Sequence, residues 1–291
     1  MTVANQAVSP VDARSRSTYR RFVERPQVLV GVVLVAVVLT TAFLGPFVAP
    51  QKSTDFVAPP FGHSADTSFF GADYLGRDVL SRYLTGGRTL LVAALMSTLL
   101  GVGAGVFVGV VAAMLRGVRG ELIMRALDVL MAFPAVVLVL MCVTLLGSDI
   151  WLLVLLVALL HMPQTARVIR SLALDIVGRD YVRAAEIIGT PRRTILLREI
   201  APNIAGLVLV ELGLRFTLSI AILSAINFLG FGARPPASDW GLMISENQIG
   251  LSVAPWGVLL PVLTIAVLTI GTNFIADGLG QTVTDTEQAG S

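Results

Sequence analysis

Six long apolar runs leave this chain few ways to fold. They cover residues 28–49, 90–115, 122–146, 150–165, 203–231 and 256–277. A bilayer core of about 30 Å takes about 20 helical residues, and lipid leaves no partner for bare peptide groups, so such runs fold as helices. Charge agrees with this reading. Only 14% of the 291 residues are charged, where a soluble domain carries about 25%. The expected fold is all-α, an integral membrane protein with six transmembrane helices. Its parts are a tail at 1–27, a first helix at 28–49, an extracytoplasmic segment at 50–88, a five-helix core at 89–277 and a tail at 278–291.

The first run follows Arg20 and Arg21, as a twin-arginine signal would. It is longer than a usual signal core and more spans follow, so it reads as an uncleaved anchor. Arginines set the orientation. They crowd the N-terminal tail, the 116–125 connection and the 167–198 connection, while Arg77, Arg82, Arg88 and Arg234 are sparse on the other side. Both termini are therefore expected in the cytoplasm. Within the second run, Gly101, Gly105 and Gly109 repeat every four residues. That pattern lets a neighbouring helix approach closely. Pro134 reads as a kink in the third run.

Several function classes drop out. A net charge of +2 without a dense basic run gives no footprint for nucleic acid. Cys142 is the only cysteine, and His63 and His161 lie far apart, so no metal-ligand spacing is present. Lys52, the only lysine, follows Gln51; the phosphate-cradling Gly-Lys-Ser/Thr of a nucleotide-binding loop is missing. No cofactor is expected.

The most informative segment is residues 178–202, GRDYVRAAEIIGTPRRTILLREIAP. It is too polar to span and falls on the arginine-rich side. Two short helices are expected. Asp180 caps the first, over 181–188, with Gly189 at its C-terminal turn. Thr190 caps the second, Pro191 opens it and Pro202 closes it. Ala184, Ala185 and Gly189 would leave a bare knuckle that another protein's groove could meet. The plain alternative is a hairpin that merely joins two spans, and the residues alone leave both open.

Arg183-Ala-Ala-Glu-Ile-Ile-Gly189, followed after ten residues by Ile200-Ala-Pro202, resembles the EAA loop of bacterial ABC importer permeases. The usual form is Glu-Ala-Ala, three residues, Gly, then Ile-Leu-Pro; this chain departs from it at Arg183 and Ala201. Phe70-Gly-Ala-Asp-Tyr-Leu-Gly-Arg-Asp-Val-Leu-Ser-Arg82 is similar to a signature of the peptide/nickel branch. Asn227-Phe-Leu-Gly-Phe-Gly-Ala-Arg-Pro-Pro236, running on to Trp240-Gly241, is similar to another, and Asp277-Gly-Leu-Gly280 partly matches a closing turn. The likeness covers about 28–285 and is strongest to the second permease of oligopeptide importers.

That resemblance implies a type I ABC importer permease fold. The chain itself would be non-catalytic. Its implied partners are a second permease, ABC ATPase subunits, an extracytoplasmic substrate-binding protein, membrane lipid and a peptide cargo. Nickel chelates or glutathione are alternative cargoes. Arg183, Ala184, Ala185, Glu186, Gly189, Ile200 and Pro202 would couple the permease to the ATPase. Glu211 and Arg215 share a helix face at i, i+4 spacing, either as a self-contained ion pair or as part of the cargo path. Asp73, Arg77 and Asp78 could contact the binding protein, or form a local ion-pair turn. Trp240 and Trp256 read as interfacial anchors. A proton-driven transporter, using Glu211 as a relay, or a membrane enzyme built on Asp128, Glu211 and Arg215, are the rival classes.

Overall fold

A computed structural model describes residues 25–62, 68–115 and 117–288, with side chains to 281. The tail arginines before Arg25, together with His63 and Arg116, lie outside the described residues. The elements are α1 (Pro26–Val48), α2 (Val79–Met114), α3 (Val118–Met131), α4 (Ala135–Leu146), α5 (Ile150–Val177), α6 (Asp180–Ile187), α7 (Arg192–Ile195), a π-helical turn (Leu196–Ile200), α8 (Ala201–Phe228), α9 (Trp240–Asn247), a 3₁₀ turn (Gln248–Gly250) and α10 (Trp256–Gln288). Among the described residues five helices are long and apolar enough to cross a membrane, and the bent pair α3–α4 makes a sixth if it is one span. The six-helix expectation stands in that form.

Three boundaries move. The second span begins at Val79, eleven residues before the apolar run, because Asp78 caps α2 by accepting from the Ser81 N–H at 2.8 Å. The fourth runs to Val177, since the stripe Ile169, Ala173 and Ile176 has a core to enter. Asp277 to Gly280 is no closing turn; it lies inside α10. Pro134 does more than kink the third span. It ends one helix and starts another, and the two halves meet at 78°.

Each end of the bundle is fixed by contacts. At one end the Gln51 N–H donates to Ser81 Oγ, and Trp240 Nε1 donates to the Tyr83 carbonyl. At the other end Arg25 donates to Gln281, and Val110, Ile176, Ile195 and Ile200 share one apolar cluster. After the orientation expected from the arginines, the first is called the outer end below and the second the inner end. Between them α2 packs along α5 at its glycine stripe. A Cβ on Gly105 would lie 2.7 Å from Thr165 Cβ, and one on Gly109 would lie 2.6 Å from the Ala166 carbonyl. Only glycine allows that approach.

Candidate functional site

The inner-end loop has a packed base and a bare tip. α6 ends in a Schellman turn: Gly189, at φ +80°, donates to the Glu186 carbonyl at 3.1 Å, and Thr190 donates to the Ala185 carbonyl at 3.0 Å. The two bonds use carbonyls that a helix end would otherwise leave unpaired. Gly189 therefore sits where the sequence puts it. Other details differ. Arg179, not Asp180, holds the capping position, and no side chain caps either short helix. Thr190 is not a cap; Pro191 occupies that place before α7. Pro202 does not close a helix either. It stands in the first turn of α8, directly after the π-helical turn. The widened turn relieves the clash that a proline ring makes with the carbonyl four residues earlier, so α7 runs through to α8 as one helix, Arg192–Phe228.

Within this loop Val182, Ile195 and Ile200 are buried against Ile169, Ala173 and Ile176 of α5, with Ala185 half-buried at the edge. Arg183, Ala184, Glu186, Gly189 and Pro202 are exposed. Ile187 and Ile188, 86% and 80% exposed, form the tip. The sequence reading put weight on the small residues and passed over these two. The signal was two adjacent isoleucines in a segment too polar to span.

The outer end carries a closed set of buried charges. Arg82 reaches Asp73 and Glu246, each at 2.6 Å, and Arg77 reaches the same two carboxylates at 2.8 and 3.2 Å. Two cations and two anions balance, and all four side chains are at most 7% exposed. Tyr74 donates to Glu246, and burial together with that carboxylate pushes its phenol up. Asp78 is 1% exposed and serves as the α2 cap. Asp73, Arg77 and Asp78 are thus an internal turn, covered by the chain itself. A docked protein would meet their cover and not these side chains. Trp240 is likewise no interfacial anchor. It is fully buried, stacked on Tyr83 over Gly87. Trp256 remains 39% exposed beside Phe70.

Midway along the bundle Arg215 Nε donates to Glu211 Oε2 at 3.0 Å, and Thr165 Oγ1 donates to the same oxygen at 3.0 Å. Arg215 also donates to Gln164. One turn outward, His161 Nε2 pairs with Ser219 Oγ at 2.8 Å, which in turn meets Thr98 Oγ1 at 3.0 Å. α5 and α8 are thus joined at depth by polar groups that satisfy each other.

Residues 105–285 match the family described as binding-protein-dependent transport system inner membrane component. The chain belongs to this family. Among curated relatives, a glutathione transport system permease protein GsiD of Pectobacterium atrosepticum is 31% identical over 266 residues, covering 91% of this chain and 88% of the relative. An oligopeptide transport system permease protein OppC of Haemophilus influenzae is 31% identical over 263 residues, covering 89% and 85%. It is therefore an inner-membrane transport permease, as the sequence signatures indicated.

For this permease the two outer-end signatures fold against each other. They meet where Arg82 donates to the Ala237 carbonyl at 3.3 Å, while Asn227 ties the second signature to itself: its Nδ2 donates to Asp239 Oδ1 at 2.8 Å, and its Oδ1 accepts from the Ala233 N–H at 2.9 Å. Gly232 and Gly241 are needed because a Cβ on either would strike Asn227. Asp239 caps α9 through the N–H groups of Gly241 and Leu242. Its carboxyl is pushed up to about 6 by burial, against hydrogen bonds that pull it down. Protonation of Asp239 hence favours the folded chain. Its contribution is complete below the ordinary pKa of 3.8 and lost as pH rises through about 6. Asp239→Asn should keep the cap and flatten the melting-temperature profile between pH 4 and 6.5 in detergent. An unchanged slope would show that Asp239 does not titrate there.

Proposed function

We propose that this chain is one of two permeases in a bacterial ABC importer, taking up small peptides and coupling the path to ATP hydrolysis by partner subunits. The observation that carries the coupling role is the inner-end loop, a packed base ending in two bare isoleucines. A knob of this kind suits a groove on another protein, where an apolar anchor supplies most of the contact energy. Rigid-body motion of that contact would shift the continuous helix 192–228 and switch the bundle between two states. The second permease would supply the facing wall of the path, and an extracytoplasmic binding protein would deliver cargo to the outer end.

Oligopeptides and glutathione are the cargoes that the names of the relatives support; a nickel chelate remains the alternative from the sequence signatures. Glu211 and Arg215 belong to the path in this reading, with Arg215, 11% exposed, the member nearer to open space. Reconstituted with its co-purifying subunits, the importer should accumulate trialanine or glutathione with ATP inside the ATPase compartment and no proton gradient. Uptake that follows the proton gradient without ATP would overturn the assignment.

Orientation has its own test. In this reading both termini and the 178–202 loop face the cytoplasm. In a Cys142→Ser background, an impermeant thiol reagent on intact cells should label Ser252→Cys and spare Arg193→Cys until lysis. Labelling of position 193 on intact cells would reverse the topology and remove the coupling role with it.

A further inference from the structure

The break between α3 and α4 opens a recess of about 330 Å³ against α5 and α8, lined by Met131, Phe133, Ala135, His161, Gln164 and Ile222 among others. His161 lies eleven residues along α5, about 16 Å from its outer end, which is mid-membrane depth. Three observations set this place apart. The backbone is irregular there: residues 132–134 are outside any helix and exposed. Irregular backbone at membrane depth is tolerated only against protein or water, not lipid. The face also carries an exposed polar strip, with Gln164 and then the Arg167–Asp128 pair at 2.5 Å, both side chains more than half exposed. Gln164, about 21 Å from the outer end of α5, still lies within the bilayer core, where an exposed amide is costly against lipid, whereas the Arg167–Asp128 pair lies near the inner boundary, where charged side chains snorkel. Finally, the recess keeps hydrogen-bonding capacity. Gln164 Oε1 takes the Arg215 guanidinium, while its Nε2 has no partner among the described residues. The first-turn N–H groups of α4 lack helical partners by geometry, and Ala135, the first of them, lines the space.

We infer that this recess is a subsite for the peptide backbone of the cargo. Gln164 Nε2 and the α4 first turn donate to a carbonyl, and the apolar walls from Met131, Phe133 and Ile222 take a small side chain. The neighbouring charges are already paired, Arg215 with Glu211 and Arg167 with Asp128, so the site favours a neutral amide over a free terminus. That composition, mostly apolar with a few convergent polar groups, is the usual make-up of a ligand pocket, and its volume is at the small end of the range.

The inference rests on the peptide-importer reading, and the experiment separates the two. The complete importer with Cys142→Ser is placed in proteoliposomes, with Met131→Cys, Ile222→Cys or the control Leu145→Cys, which is 77% exposed and lies outside the recess. The probe is Ala-Cys-Ala activated as its 2-thiopyridyl disulfide; attack by a site thiolate forms a mixed disulfide and releases 2-thiopyridone. During ATP turnover, positions 131 and 222 should react at least tenfold faster than 145, and excess trialanine should suppress that difference. Uptake of Ala-Cys-Ala with no preference at either position overturns the subsite and leaves the importer standing. Failure of the Cys142→Ser parent to take up trialanine, Ala-Cys-Ala or glutathione overturns both.

Discussion

Arg82→Met should leave little of this permease in the membrane, because it strands a buried negative charge. Arg82 is fully buried and touches both carboxylates of the outer-end cluster, Asp73 and Glu246, as well as the Ala237 carbonyl. Without it Arg77 alone faces two anions. Breaking a buried pair by removing one partner costs about 3–5 kcal/mol, a large share of the roughly 5–15 kcal/mol that holds a domain folded. The cluster also ties three segments together, namely the 73–77 turn, α2 and α9, so its loss should loosen the whole outer end. The expected result is a sharply lower yield and a melting temperature in detergent lower by several degrees. Adding Glu246→Gln to Arg82→Met restores neutrality around Asp73 and Arg77, and should recover part of that loss. A single variant that melts with the parent would show that water reaches the cluster and that its burial is incomplete.

The same cluster shows where the sequence was legible and where it was not. Asp73, Arg77 and Asp78 stood out because they sit in a recognisable signature just before a span. Glu246 did not. It lies 164 positions beyond Arg82, and only folding brings α9 over the start of α2. Charge counting would not have found it: in sequence Asp73 and Asp78 already balance Arg77 and Arg82, and only the fold shows that Asp78 is used as the α2 cap. The spans were legible because membrane depth forces long apolar runs. Their ends were not, since α2 begins with a mixed polar and apolar stretch, Val79 to Arg88, held by the Asp78 cap, and α5 continues along the helical stripe Ile169, Ala173 and Ile176. Trp240 misled for a related reason. Near a span end a tryptophan usually meets the interface, yet here Gly86 and Gly87 clear a slot that the ring fills. In the inner-end loop, Gly189 was predictable from local turn chemistry alone. Pro202 was not, because a proline that normally ends a helix is accommodated by a π-helical turn, and no residue type announces that turn.

The second large effect is expected at the loop tip. Ile187→Glu should abolish uptake and cargo-stimulated ATP hydrolysis while the chain still accumulates and pairs with its partner permease. Ile187 is 86% exposed and sits at the end of α6, so the fold itself loses almost nothing; such surface changes usually stay within about 0.5 kcal/mol. A docked ATPase would cover the same position, and there a carboxylate without a partner costs several kcal/mol. The asymmetry between those two costs is what makes the test clean. Ala185→Glu is a poorer choice, since Ala185 is half-buried beside Val182 and Ile195, and a failure there would confuse folding with docking. Gly189→Asp is a useful companion. A Cβ at Gly189 meets nothing within 4 Å, and aspartate tolerates the positive φ better than most residues, so it adds a charge with a modest cost to the turn. Both variants should also release the ATPase from the purified complex. Normal uptake by both would make the loop a connector between spans, and the coupling contact would have to lie elsewhere on the inner end.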